Sequence, residues 1–205
     1  GGTVGVDATH TANVHGGGYG ALTATEDDVS VIINGSGVTV WGDVYGGSAL
    51  GNVNKNTTHT TSVTLTDGTV YGCLYGGGLG DASNAALVNG NVSVQVAGGK
   101  VQSTAATDRT TGAVFGCNNV NGTPKGSVEV TINSTSATVV NGSSKTYALQ
   151  GVYGGGNLAN YDPTTPGNYP TVTINGCSTS IKDVYGGGNA ASVPYTKVTV
   201  NGGDI

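Results

Sequence analysis

The phrase VYGGGN stands at residues 152–157 and again at 184–189, and near-copies read VHGGGY (14–19), VYGGSA (44–49), LYGGGL (74–79) and VFGCNN (114–119). Recurrence of one phrase at a near-constant interval is the signature of a repeat architecture, in which each copy buries its apolar face against its neighbours. A second phrase precedes the return of the first: VIING (31–35), VTLTD (63–67), VQVAG (94–98), VTINS (130–134), VTING (172–176) and VTVNG (198–202). Together they divide the chain into repeats of approximately 1–34, 35–66, 67–97, 98–133, 134–175 and 176–205, one segment of a single repeat type.

The second phrase alternates with period two, which assigns strands. Its inward columns are apolar in every copy. Val31, Val63, Val94, Val130, Val172 and Val198 form the first, and Ile33, Leu65, Val96, Ile132, Ile174 and Val200 the second. The column between them is mostly polar: Ile32, Thr64, Gln95, Thr131, Thr173 and Thr199. The six Val positions of the first column are therefore expected to be buried and stacked. Asn-Gly at the strand end supplies a turn, since both residues tolerate positive φ. No stretch has a helical apolar stripe, and with 38 glycines any helix would lose about 1 kcal/mol per Gly.

Like columns at a near-fixed period stack when every repeat runs the same way. The expected fold is all-β, a parallel β-solenoid of about six Gly-rich coils, with longer loops around 140–150 and 157–170. At about 4.8 Å per strand, six coils span on the order of 29 Å. In the first phrase Val14, Val44, Leu74, Val114, Val152 and Val184 are then core residues of a second strand. The next position reads His15, Tyr45, Tyr75, Phe115, Tyr153 and Tyr185, an aromatic ladder with rings about 5 Å apart, in the range of offset stacking. The ladder is structural in one reading; in another it is an exposed row that binds sugar rings or a neighbouring filament.

Charge narrows the function. Only 9% of residues are charged, and the net charge of −5 comes with seven basic residues, scattered singly. Nucleic-acid binders cluster Lys and Arg, so no nucleic-acid partner is expected. No apolar run reaches the ~20 residues of a membrane helix, so no membrane insertion of this segment is expected.

The VYGGGN phrase joined to VTVNGG resembles the repeats of large bacterial cell-surface proteins of β-solenoid, adhesin-like type. Polymorphic outer-membrane and autotransporter passengers use analogous Gly-rich coils with a different phrase. The resemblance covers essentially the whole chain and implies extracellular display with a structural or adhesive role as stalk, adhesin shaft or self-assembling filament. It implies nothing about catalysis. The partners to expect are copies of the chain or flanking repeats, stacked head-to-tail because the first and last residues fall at the same phase of the repeat. Surface glycans are the alternative partner, on the aromatic row.

Other chemistries fit less well. Calcium solenoids need a recurrent Asp after Gly-Gly-x-Gly-x, and GGLGDA (77–82) places Asp81 one position early in a single copy. Glu26-Asp27-Asp28 reads as a solvated turn, and Asp43 and Asp183 share a slot that other copies fill with Asn13, Cys73, Ala113 and Gly151. Solenoid lyases and hydrolases converge carboxylates on one face, and no repeated slot here is acidic. His10, His15 and His59 are separate and without companion carboxylates, which disfavours a zinc site. An ice-binding array needs an unbroken Thr column, which Ile32 and Gln95 interrupt. No enzyme, catalytic residue, metal ligand or cofactor is expected. Cys73, Cys117 and Cys177 are an odd set with no fixed slot, as compatible with buried thiols as with a disulfide between adjacent coils. Asn-x-Ser/Thr sequences at Asn34, Asn56, Asn91, Asn121, Asn133 and Asn141 are close in number to what so Asn- and Thr-rich a chain produces by chance.

Overall fold

The computed structural model describes residues 1–102, 111–176 and 178–202. Among them the chain is all-β, with no helix and with sheets that are mostly parallel. The largest sheet holds six strands in the order Lys197–Val200, Pro170–Ile174, Val128–Ser134, Asn91–Ala97, Thr60–Leu65 and Val29–Ile33. Neighbours in the sheet are thus equivalent strands of successive repeats. All five pairings are parallel, and the register puts Val31 opposite Val63, then Val94, Val130, Val172 and Val198. One irregularity breaks the ladder, where Ala97 pairs with Ser134 after Val96.

The aromatic phrase forms a second parallel sheet of six short strands, from Val14–His15 through Val44–Tyr45, Leu74–Tyr75, Ala113–Phe115 and Gly151–Tyr153 to Val184–Tyr185. A third begins Thr3–Val4, Thr39–Val40, Thr69–Val70, Lys100–Val101 and continues through single bridges at Leu149 and Ile181. A short fourth line pairs Ala24–Thr25 with Asn52–Val53, then Val88 and Pro124. Parallel strands need a long crossover. Here the crossover from one long strand to the next is the rest of the repeat, which visits the other sheets on its way round. Among the described residues the only antiparallel strands are the exposed hairpin Val139–Asn141 with Ser144–Thr146, inside one of the two stretches expected to be long loops.

One apolar cluster joins the sheets. It contains Val63, Val94, Val130 and Val172 from the long sheet, Val44, Leu74, Val114 and Val152 from the aromatic sheet, and Val40, Val70, Val101, Leu149 and Ile181 from the third. β-Branched side chains suit such half-buried pleated faces. Full burial of each contributes roughly 1.5–3 kcal/mol, an upper figure because the unfolded chain already hides part of that surface. The expected Val column is buried from Val31 to Val172, but Val198 is 43% exposed and is a correction. It holds its register opposite Val172 in one edge strand of the sheet, and Val200 beside it is exposed as well, whereas Val29, Val31 and Ile33 of the opposite edge strand stay buried, so the two ends of the core are covered unequally.

The turn leaving the long strands uses glycine in the left-handed region at Gly35, Gly68 and Gly99, which the absence of a Cβ permits. No helix of the described residues is long and apolar enough to cross a membrane.

Candidate functional site

Each aromatic side chain follows a core Val or Leu by one residue, so the pleat turns it away from the main core. The rings stack in sequence. Centroids are 4.7 Å apart for His15–Tyr45, 4.9 Å for Tyr45–Tyr75 and for Tyr75–Phe115, 4.6 Å for Phe115–Tyr153 and 4.8 Å for Tyr153–Tyr185. Interplanar angles run from 2° to 14°, so the rings lie nearly parallel at the spacing of the strands that carry them. Such pairs contribute about 0.5–1.5 kcal/mol each beyond the area they bury.

The central rings are not exposed, which goes against the second of the two readings, an accessible aromatic row, and agrees with a packed ladder. Tyr45, Tyr75, Phe115 and Tyr153 are buried, and only the end members His15 and Tyr185 are half-buried. Residues on both sides of the rings pack with them: Cys73 and Ala113 lie two positions before their ladder residues and are buried in the same cluster, and Leu79 is packed against it. A sugar ring has no open aromatic face among the four central members.

A polar line runs beside the ladder. Asn189 Nδ2 donates to Asn157 Oδ1 (3.0 Å), Asn157 Nδ2 to Asn119 Oδ1 (2.9 Å), and Asn119 Nδ2 to Tyr45 Oη (2.8 Å). Tyr45 Oη in turn donates to Asp43 Oδ2 at 2.9 Å, and Asp43 Oδ1 accepts the Cys73 amide at 2.8 Å. Asn13 Oδ1 accepts the Asp43 amide one repeat earlier, so this slot caps the backbone of the next repeat. A second asparagine line closes the long sheet, from Asn201 to Asn175 (2.8 Å) and Asn175 to Asn133 (3.1 Å). The asparagine lines were readable as recurring Asn after GGG and after the VTI strand, but only their alignment across repeats gives them meaning.

Burial sets the titration behaviour. It pushes the Tyr45 and Tyr75 hydroxyls far above the ordinary phenol value, helped by the Asp43 charge and, at Tyr75, by the neighbouring Cys73. The Cys73 thiol rises to about 11, chiefly through burial and then through Asp43, and burial alone raises Cys117 further. Both thiols are buried and neither is in a disulfide among the described residues; Cys177 lies outside them. Burial lowers the His15 imidazole, partly offset by Asp43, and its Nδ1 is buried without a partner.

Two histidines do have carboxylate neighbours, contrary to expectation. His10 Nδ1 is 3.0 Å from Asp7, and His59 Nδ1 is 3.3 Å from Asp28 with Asp27 at 3.9 Å from Nε2. Asp28 also accepts the Thr60 amide, which holds its carboxyl below the usual range. Among the described residues no group of three His, Cys, Asp or Glu could hold a metal ion. No protein-family model, curated protein or solved structure matches the chain.

Sequence reasoning missed a second aromatic stack. Trp41 and Tyr71 follow the core residues Val40 and Val70 of the third sheet, with centroids 4.2 Å apart and planes 12° from parallel. Both are half-exposed. Later repeats place Gln102, Gln150 and Lys182 in that slot, so no repeated aromatic announces it.

Proposed function

We propose that this chain is a parallel β-solenoid of six Gly-rich coils that serves as a structural shaft in an extracellular, cell-surface protein: a stalk, an adhesin stem or a filament subunit. The observation that carries the reading is the parallel register of equivalent residues over six repeats, interrupted once at Ala97, in a core of Val and Ile and an aromatic ladder with almost no charge. Such a body gains its stability from neighbour-to-neighbour contacts and lengthens without changing cross-section. Its partners are further copies of the same rung, from flanking repeats or a second chain. The Lys197–Val200 edge, with Val198 and Val200 uncovered, is the kind of surface on which a parallel strand adds. The cell-surface setting rests on the likeness of VYGGGN and VTVNGG to adhesin-type repeats. The chemistry is mechanical, with no catalytic constellation among its repeated slots.

The decisive experiment duplicates repeat 67–97 in place and compares the two proteins by small-angle scattering and electron microscopy. The long dimension should grow by about 4.8 Å per added repeat at constant cross-section. A change in cross-section, or loss of folding, would overturn the solenoid. Antibody labelling of intact source cells tests the location, and labelling only after lysis would overturn it.

A further inference from the structure

The fold sorts the six Asn-x-Ser/Thr sequences of the chain. Four of the asparagines are tied into bonds between repeats. Asn34 Oδ1 accepts the Thr66 hydroxyl, Asn91 Nδ2 donates to the Thr57 carbonyl, Asn121 Nδ2 donates to the Asp81 carbonyl, and Asn133 Oδ1 accepts from Asn175. Asn141 ends a strand of the exposed hairpin. Asn56 alone lies in an insertion. From the fourth line to the long strand the chain takes three residues in the first, third and fourth repeats, at 26–28, 89–91 and 125–127. In the second repeat it takes seven, at 54–60. We infer that Asn56 is an N-glycan acceptor, its side-chain amide taking a sugar from a glycosyl pyrophosphate.

The insertion is anchored at its base and open at its crest. Asn54 is buried in the left-handed region at φ 61°, donates from Nδ2 to the Asp27 carbonyl and accepts the Thr61 hydroxyl. The Thr57 carbonyl is held by Asn91 of the next repeat. Residues 55–58 are exposed and none belongs to the apolar core, so packing does not account for the added length. Insertions in repeat proteins collect on functional faces, and an Asn-x-Thr sequence on a surface loop is the acceptor form for N-linked sugar.

The side chains suit the transfer. Asn56 Oδ1 accepts both the Thr58 amide at 2.9 Å and the Thr58 hydroxyl at 2.6 Å, and among the described residues its Nδ2 donates to none. An amide nitrogen is a weak nucleophile because its lone pair is shared with the carbonyl. In the transfer Nδ2 bonds to the anomeric carbon and the bond from that carbon to the pyrophosphate oxygen breaks. The electron pair leaves with the pyrophosphate, and the Nδ2 proton passes to a base of the transferase. As that proton departs, charge gathers on Oδ1, where two donors already stand to stabilise it. Asn91 and Asn121 would first have to break the bonds that their amide nitrogens make between repeats. Asn141 lacks such a pair of donors among the described residues. The site is independent of the shaft reading.

The test is peptide mapping by mass spectrometry of the whole protein purified from its source cells. Chymotrypsin, cutting after Leu50 and Leu65, separates Asn56 from the other five sequences. Peptide 51–65 should carry a hexose or N-acetylhexosamine that fragmentation places on Asn56, with Asn91, Asn121 and Asn133 bare. Expressed in the same cells, Thr58→Ala should lose the sugar and Thr58→Ser should keep it. Both alter an exposed residue, and unchanged melting temperatures would show that the fold is kept. A bare peptide 51–65 overturns the inference, as does a sugar on its Thr or Ser hydroxyls instead. Modification of Asn56 in Thr58→Ala, or equal modification of Asn91, Asn121 and Asn133, overturns it too. None of these outcomes touches the shaft, which the repeat duplication tests separately.

Discussion

Gly46 lies so close to Gly76 that a Cβ on the first would fall on the carbonyl oxygen of the second. The same relationship links Gly16 to Gly46, Gly76 to Gly116, Gly116 to Gly154 and Gly154 to Gly186. The residue after each ladder ring is glycine for space, because the next strand's backbone and the Val side chains of the long sheet occupy the place of a side chain.

At Gly116, the obstructing atoms are the Gly154 carbonyl and the methyls of Val128 and Val130, none of which can rotate away freely. Gly116→Ala should therefore destabilise the fold by about 3 kcal/mol, as overpacking against backbone does. Gly20→Ala, where only a Thr23 methyl lies near at 3.9 Å, should change stability by less than about 0.5 kcal/mol. Urea unfolding of both variants checks the pair; equal losses would contradict the close approach.

The Val column gives a graded test. Val172 is fully buried between Val130 and Val198, so Val172→Asp places an unpaired charge in the core and should cost about 4 kcal/mol or more. Val198 pairs in register yet keeps 43% of its surface exposed, and Val198→Asp should cost about 1 kcal/mol or less. Thermal melts of the two variants should differ widely although both alter the same repeat position.

Much of this was legible in the sequence, and the reason is the pleat. Alternation with period two fixes which side of a strand is apolar, and copies of one phrase fix which strands meet, so the register from Val31 to Val198 follows from reading alone. Burial at the edges does not follow, because it depends on what lies beyond Val198 and not on Val198 itself. The ladder from His15 to Tyr185 was legible as a row, but its cover was not, since Cys73, Ala113 and Leu79 stand in slots whose residue type changes from repeat to repeat. Trp41–Tyr71 escaped for the same reason: it arises where two repeats depart from the pattern of the others.

The asparagine line predicts a pH-dependent defect. Asn157 donates to Asn119 and accepts from Asn189, and an ionised carboxylate can only accept. Asn157→Asp would set two oxygens against each other and cost about 1–2 kcal/mol at neutral pH. That mismatch raises the carboxyl's pKa in the folded state above its unfolded value. The penalty is thus present above the folded pKa and disappears as pH falls below the unfolded one, where the acid donates again. Stability curves of parent and variant should converge below about pH 4; a pH-independent gap would mean the line carries no directional bonding.

Alkali probes the buried ladder itself. Tyr45 and Tyr75 have folded-state pKa values raised above the ordinary 10, first by burial and then by neighbouring charge. The unfolded chain therefore releases these phenolic protons at lower pH than the folded one does. Their contribution is fully present below about pH 10 and falls as pH rises beyond it, by up to about 1.4 kcal/mol for each pH unit and each phenol. The thiols act in the same direction, with Cys73 raised to about 11 and Cys117 higher. Above about pH 10, then, the protein should unfold cooperatively, with the ultraviolet rise of phenolate coinciding with loss of the β-sheet dichroism. Iodoacetamide at pH 8, followed by mass mapping, should leave Cys73 and Cys117 unmodified in the folded chain and label both once that transition is passed. Gradual ionisation of all ten tyrosines with the sheets intact would show that the rings are reached by solvent in the folded state, and the ladder as described would have to be abandoned.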